Sequence, residues 1–339
     1  MRLIERVWFQ GHPAKYVLVP LLFPLTLLFA LLSACRRILF QIGILASKPP
    51  ACPVIVIGNI GVGGNGKTPL AIYLIELCQV LGIKVGLVSR GYGGKAPHYP
   101  YLLDNTSTAA LAGDEPMMIY SRCHVPVAVG PDRLAAVEKL AQQGCELVLA
   151  DDGLQHYKMK RQAEIIVVDG KREFGNGLLI PAGPLREGKW RLPTADLIVV
   201  NGKTDRTSEV ATEQLDMSLL PQQIINIKTG EKLSIEAFNT QYPSVNAVAA
   251  IGDPERFFTT LHQHQLKTNQ CVGFDDHHAY SEAELSSLGE LPLVMTEKDA
   301  VKCQAFASEQ WWYLAVSADF ADNNKQQLEN LLLAVAGRI

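Results

Sequence analysis

The segment Gly61-Val62-Gly63-Gly64-Asn65-Gly66-Lys67-Thr68 fits the pattern G-x-x-x-x-G-K-[ST], and that pattern constrains what must surround it. It requires a strand before the loop and a helix after it. Val54-Ile55-Val56-Ile57 is a β-branched run of strand length, and beyond Pro69 the residues Ala71, Leu74, Ile75 and Leu77 recur at helical spacing. Strand, glycine loop and helix together form a phosphate cradle. The glycines let backbone N–H groups converge on phosphate oxygens at a helix N-terminus. Lys67 brings a point charge to the β/γ-phosphates, and the Thr68 hydroxyl is placed to hold Mg²⁺. A glycine turn with a chance lysine is the alternative, and both flanks argue against it.

Such a cradle needs an acidic residue at the end of a neighbouring apolar strand. Glu146-Leu147-Val148-Leu149-Ala150-Asp151-Asp152 supplies one, with one of the paired carboxylates positioning the metal. Around these two motifs, Val85–Val88, Val125–Val129, Ile165–Val168 and Leu197–Val200 read as buried strands, with helices such as Arg133–Gln143 between them. The alternation predicts an α/β fold of the P-loop NTPase type, a doubly wound, mostly parallel sheet over residues 41–207. The polar stretch 208–228 reads as a hinge. Beyond it, the strands Asn246–Ile251 and Leu293–Met295 and the helix Pro254–His264 suggest a smaller α/β domain over 229–305. A closing segment, 306–339, ends in a helix at Lys325–Ala336.

Residues 1–40 have a different character. Tyr16–Cys35 carries no charge, and at 1.5 Å per residue a helix over it is about 30 Å long, the thickness of a bilayer core. Arg2, Arg6 and Lys15 precede it and Arg36 and Arg37 follow, so basic residues flank both ends and orientation stays open. Pro20 and Pro24 suggest a kink, hence a shallow or re-entrant insertion. A buried core helix is one alternative. A lipoprotein signal is another, since Leu32-Ser33-Ala34-Cys35 resembles a cleavage box, but Arg36-Arg37 directly beyond it opposes export. A net charge of −3 gives no sign of nucleic-acid binding, and no protein partner is implied. Seven scattered cysteines without a C-x-x-C argue for free thiols in a reducing compartment.

Chemistry-bearing loops lie between the strands. They include Ser89-Arg90-Gly91-Tyr92-Gly93-Gly94, Gly113-Asp114-Glu115-Pro116, Asp151-Asp152-Gly153-Leu154-Gln155-His156 and Phe174-Gly175-Asn176-Gly177. Later come Pro181-Ala182-Gly183-Pro184-Leu185-Arg186-Glu187, Asp276-His277 and Thr296-Glu297-Lys298-Asp299-Ala300-Val301-Lys302. Taken in order, this series resembles the tetraacyldisaccharide 4′-kinase family, the lipid A 4′-kinases of Gram-negative bacteria, across nearly the whole chain. The resemblance implies transfer of the ATP γ-phosphate to the 4′-hydroxyl of a membrane-embedded tetraacyl disaccharide 1-phosphate, at the cytoplasmic face of the inner membrane. It implies Asp114 as catalytic base assisted by His277, with ATP and Mg²⁺ as cofactors.

The residues themselves fit this chemistry. An alcohol nucleophile needs a carboxylate within reach to accept its proton. Metal candidates are Thr68, Asp151, Asp152 and Glu115, and candidates to bind the anionic lipid are Arg90, Tyr92, Arg133, Gln155 and Arg186. His262 and His264 read as helix surface despite their H-x-H spacing. A membrane-anchored regulatory or assembly NTPase is the rival function. A degenerate, non-catalytic module is disfavoured by intact Lys67, Thr68 and Asp151.

Overall fold

The computed structural model describes residues 3–203 and 214–338, so Arg2 and the first part of the 208–228 stretch lie outside the described residues. Two helices, α1 (Leu3–Phe9) and α2 (Lys15–Gln41), precede the first strand, β1 (Val54–Gly58). Then follow α3 (Lys67–Val80), β2 (Val85–Ser89), β3 (Tyr101–Leu102), α4 (Ala109–Ala112), α5 (Asp114–Cys123), β4 (Val127–Val129) and α6 (Arg133–Gln142). The strands β5 (Leu147–Asp151), β6 (Ala163–Asp169) and β7 (Leu197–Asn201) complete the first half. The second half contains β8 (Gln214–Asn226), β9 (Lys232–Leu233), α7 (Ile235–Gln241), β10 (Val245–Ala249), α8 (Pro254–Gln263) and β11 (Thr268–Gly273). It ends with α9 (Glu282–Ser286), β12 (Leu293–Thr296), α10 (Glu297–Cys303), β13 (Trp311–Phe320) and α11 (Asp322–Val335).

All strands join one sheet in the order β11-β10-β12-β13-β8-β7-β6-β1-β5-β2-β4-β3, with β9 paired to β8 at the side. Around β1 the pairing is parallel, so helices must cross over and cover both faces. That burial is why β1, β2 and β5 are apolar up to the Ser89 and Asp151 that end β2 and β5. Leu70 and Leu74 of α3, Ile119 of α5 and Leu328 and Leu332 of α11 fill one face, and Val137 and Leu140 of α6 fill the other. Each such side chain removed from water contributes roughly 1.5–3 kcal/mol. The closing helix α11 therefore returns to the first half, beginning at Asp322, ahead of the expected Lys325.

The stretch expected to be a hinge differs. From Gln214 it is a strand, β8, parallel to β7 at its start and antiparallel to β13 from Met217↔Phe320 to Asn226↔Trp312. Its first residues alternate buried and exposed, Leu215 and Met217 inward, Asp216 and Ser218 outward, the signature of a half-buried strand. Pro221 obscured that period, and it sits where the register with β13 shifts, a bulge position that spares the missing N–H. Among the described residues, Ser218–Gln223 and Ala315–Asp319 pair only with each other, so a two-stranded ribbon joins the halves.

The N-terminal apolar run is a single helix, α2, that continues through Pro20 and Pro24. It is not a core helix: Tyr16, Val17, Leu21, Leu25, Leu28, Leu31 and Leu32 are all exposed. One buried polar residue docks it. Thr26 Oγ1 accepts from the Ala182 N–H at 3.0 Å, and Trp8 Nε1 of α1 donates to the Pro181 carbonyl at 3.1 Å. The seven cysteines are free.

Candidate active site

The glycine loop leaves β1 at the middle of the sheet and ends at Gly66, whose φ of +96° precedes the first turn of α3. A Cβ there would lie 2.5 Å from Asn201 Nδ2, which donates to the Asn65 carbonyl at 3.2 Å, so only glycine fits. Lys67 opens α3. Its ammonium donates to Asn59 Oδ1 at 3.2 Å and lies 3.6 Å from Asp152 Oδ1. A second loop runs alongside: the Val62 N–H donates to the Pro184 carbonyl at 2.9 Å, and the Arg186 N–H to the Ile60 carbonyl at 2.7 Å.

Parallel pairing brings the acidic residues to this point, since Ile57 of β1 is level with Asp151 of β5. Asp152 follows in the left-handed region, φ +50°, and both its oxygens accept from the Arg186 guanidinium, at 2.9 and 3.1 Å. Burial would raise the Asp152 carboxyl, but Lys67 and Arg186 hold it below the usual carboxylate range. Asp151 is the opposite case. It is wholly enclosed, and burial first, then the Glu115 carboxylate, push its pKa up against the pull of Lys67. Ser89 Oγ donates to its Oδ2 at 3.4 Å, while its Oδ1 has no hydrogen-bond partner.

An orphaned buried carboxylate oxygen beside further carboxylates fits a divalent cation. Among the described residues no three His, Cys, Asp or Glu side chains converge to hold a metal alone. A cation here would therefore complete its shell with water or phosphate oxygens, as Mg²⁺ usually does.

The next carboxylate enters from α5. Asp114 and Glu115 occupy its first turn, where the helix dipole favours negative charge. Asp114 is buried, and His277, from the loop after β11, places Nδ1 2.9 Å from its Oδ2. The neighbouring His278 turns away, with Nε2 2.9 Å from Glu284 Oε2 and its ring stacked on Phe274. Of the two adjacent histidines, geometry brings only His277 to Asp114. Gly113 aims the pair: its φ of +91° and ψ of 156° belong to a region that is essentially glycine's alone, and a Cβ would meet the Tyr92 carbonyl at 2.6 Å. Gly113→Ala is expected to lower stability by about 1–3 kcal/mol and to impair phosphoryl transfer together with it. Thermal melting and a transfer assay on the same preparation check this, and an unshifted melt would refute it.

The other expected lipid contacts divide. Tyr92 is exposed, with its ring centroid 5.1 Å from that of His277, and Arg90 is exposed nearby. Gln155 is half-buried and its Nε2 has no partner. Arg133, however, is only 4% exposed and donates to the carbonyls of Gly130 at 2.7 Å and Asp151 at 3.4 Å. Burial first, against the attraction of Asp151 and Asp152, brings its pKa down to about 10. Its guanidinium is turned inward against the end of the strand that carries Asp151. His262, on the surface of α8, bonds Thr268 at 2.8 Å, in keeping with the plain surface reading.

Two residues were missed. Asn59, one residue beyond β1, receives the Lys67 ammonium; it is not part of the loop pattern and carries no signal of its own. Lys298, at the start of α10, points into the Asp114–His277 group, 3.6 Å from Glu115 Oε1 and 3.1 Å from Asp276 Oδ1. It lies within the Thr296–Lys302 motif, but only the fold shows what it faces.

Comparison with known proteins agrees with this arrangement. The family model for Tetraacyldisaccharide-1-P 4'-kinase matches residues 18–336. A tetraacyldisaccharide 4′-kinase of Colwellia psychrerythraea is 55% identical over 328 residues, 96% of each chain, and one of Aliivibrio fischeri is 47% identical over 336 residues, 98% of this chain and 99% of the relative. The crystal structure of LpxK from Aquifex aeolicus in complex with ATP superposes with a TM-score of 0.78 at 26% identity, over 94% of this chain and 99% of that one. With the motifs in order, the site assembled at the sheet's centre and relatives matching end to end, the chain belongs to the tetraacyldisaccharide 4′-kinase family.

Proposed function

We propose that this chain transfers the γ-phosphoryl group of ATP to the 4′-hydroxyl of a tetraacyl disaccharide 1-phosphate held in the membrane. The observation that carries this reading is the 2.9 Å contact of His277 with the buried Asp114, made between the two halves of the chain beside the glycine loop. A regulatory NTPase needs no base for an acceptor alcohol, whereas a kinase does.

Each residue then has a part. The backbone of Gly61–Gly66 cradles the phosphates, and Lys67 neutralises charge on the transferring group. Thr68 and Asp151, with Asp152 and Glu115 close by, would hold Mg²⁺, which when bound offsets charge on the β- and γ-phosphates. Asp114 accepts the hydroxyl proton late in a loose transition state, and His277 orients that carboxylate or relieves it of the proton. Arg90, Tyr92, Gln155 and Arg186 clasp the anionic acceptor, a guanidinium matching phosphate oxygens in bidentate fashion. Arg186 must first exchange one oxygen of Asp152 for that purpose. Arg133 supports Asp151 from behind.

α2 is the membrane element in this reading, lying on or in the inner membrane at its cytoplasmic face, where ATP is present. Leu28 and Leu32 are more than half exposed, so Leu28→Asp with Leu32→Asp should leave the fold intact. Partition onto vesicles should fall on the order of 10²-fold or more, since an acidic residue within a bilayer costs about 2.5–3.5 kcal/mol. Transfer of ³²P from ATP to tetraacyl disaccharide 1-phosphate in vesicles tests the whole proposal. Label in the lipid, weaker for the double variant, is the expected result; rapid ATP hydrolysis without the lipid and no labelled product would favour the regulatory NTPase.

A further inference from the structure

We infer that Arg122 is a positioning residue, the tie that keeps α3, α5 and the second half in register so that the Lys67 ammonium and the Asp114 carboxylate address the same phosphoryl transfer. The inference rests on the reading of the chain as a lipid kinase and assigns a residue outside every motif that carries that reading. Arg122 is in the last turn of α5, its side chain 17% exposed. Its three guanidinium nitrogens face three different elements. Nε is 3.4 Å from Glu76 Oε1 of α3, Nη1 donates to Glu297 Oε2 of α10 and to the Val316 carbonyl of β13, both at 2.9 Å, and Nη2 donates to Ser317 Oγ of β13 at 2.7 Å. Val316 and Ser317 lie in the stretch of β13 that forms the ribbon with β8, so one side chain is bound to both nucleotide-half helices, to α10 and to the ribbon itself.

The spacing along the two helices gives this tie its purpose. Both α3 and α5 begin at the site, with Lys67 and Asp114 as their first residues, and both pack on the same face of the sheet. Glu76 comes nine residues after Lys67 and Arg122 eight after Asp114. At 1.5 Å per residue these are about 13 Å and about 12 Å, so the pair joins the helices at matching depth. A helix carries a shift along its length as a rigid element, so the relative height of Lys67 and Asp114 is set where Glu76 meets Arg122.

Stability alone does not account for the arrangement. The Glu76 side chain is 44% exposed, and an ion pair so open to solvent contributes little to folding, whereas its effect on helix register is felt at the reacting groups. The chemistry also demands arginine. A planar fork of donors serves several directions at once, whereas the ammonium of a lysine is a single point. Burial pushes the Glu297 carboxyl up and Arg122 draws it back, so the charge on the second half's side of the tie depends on the guanidinium.

The test compares full-length wild type, Arg122→Lys, Glu76→Gln and the double variant in ³²P transfer to tetraacyl disaccharide 1-phosphate in vesicles, with thermal melting on the same preparations. Arg122→Lys keeps the charge and loses the fork; its kcat should fall by roughly 10–10²-fold, with the KM for ATP changed by about twofold at most. Glu76→Gln should melt with the wild type yet turn over roughly 3–10-fold more slowly. The double variant should be no slower than Arg122→Lys, because both substitutions break one tie. A wild-type rate in Glu76→Gln overturns the inference even if the lysine variant does not fold. So does a wild-type kcat in folded Arg122→Lys, or full additivity in the double variant. Should wild type hydrolyse ATP and label no lipid, the kinase reading fails, and the same four-way comparison made on the hydrolysis rate decides Arg122.

Discussion

Lys67→Ala should transfer phosphate on the order of 10³-fold more slowly than the wild type, or worse. The ammonium projects from the first residue of α3 toward the place where the glycine loop converges phosphate oxygens, and it is held there by Asn59 and Asp152. Charge migrating onto the bridging oxygen in the transition state is met by a cation already in position, and that preorganisation accounts for the large factor. The fold should tolerate the change, since Asp152 keeps both bonds to Arg186. Thr68→Ala should act in the same direction by weakening metal support. A folded Lys67→Ala enzyme with near-normal lipid phosphorylation would remove the glycine loop from the reaction altogether.

For the acceptor side, Asp114→Ala and His277→Ala should each reduce kcat by roughly 10²–10⁴-fold with little loss of ATP affinity, because help with the hydroxyl proton is felt mainly in the transition state. The double variant should be scarcely worse than the weaker single one, since residues that act as one unit do not contribute additively. His278→Ala should be nearly silent in turnover, because that ring is bonded to Glu284 and stacked on Phe274, away from Asp114. Turnover and nucleotide affinity measured on all four variants decide this. Strict additivity, or a larger defect at His278 than at His277, would break the pairing.

Legibility in the sequence followed the range of the interactions involved. The glycine loop and the strand ending in Asp151 were readable because each is a local device whose spacing is imposed by the ligand and the sheet. The bounds of α6 and β7 were close to the reading for the same reason, local periodicity being strong there. β8 was misread because Pro221 and the glutamines beside it interrupt a period-2 pattern that only the bulge against β13 accommodates. β13 and β11 went unread, the first within a segment read only as closing, the second opening on three consecutive polar residues, Thr268-Asn269-Gln270. Arg133 illustrates a further limit. A guanidinium at the start of a helix looks like a contact for an anionic lipid in one dimension, and only the packing of α6 on β5 shows it turned inward. Lys298 is the converse, an ordinary helix lysine until the second half meets α5.

The ribbon of β8 and β13 has a mechanical consequence. Apart from it, the halves meet where α11 and Val301 of α10 pack into the apolar layer of the first half and in polar contacts at the mouth: Asp114 with His277, Arg122 with Glu297, Lys298 with Glu115, Arg256 with Asp169, and Arg172 with Asp253. Two-stranded ribbons twist more freely than broad sheets, so the cleft has a torsion spring for a backbone and a set of electrostatic latches for a clasp. Rotation about that ribbon would release the latches without parting any strand from its neighbour. Swinging the jaws apart and melting the molecule are therefore separate events with separate resistances. Raised ionic strength, which screens the latches and leaves the layers untouched, should change how fast the jaws cycle well before it changes the temperature at which the protein comes apart.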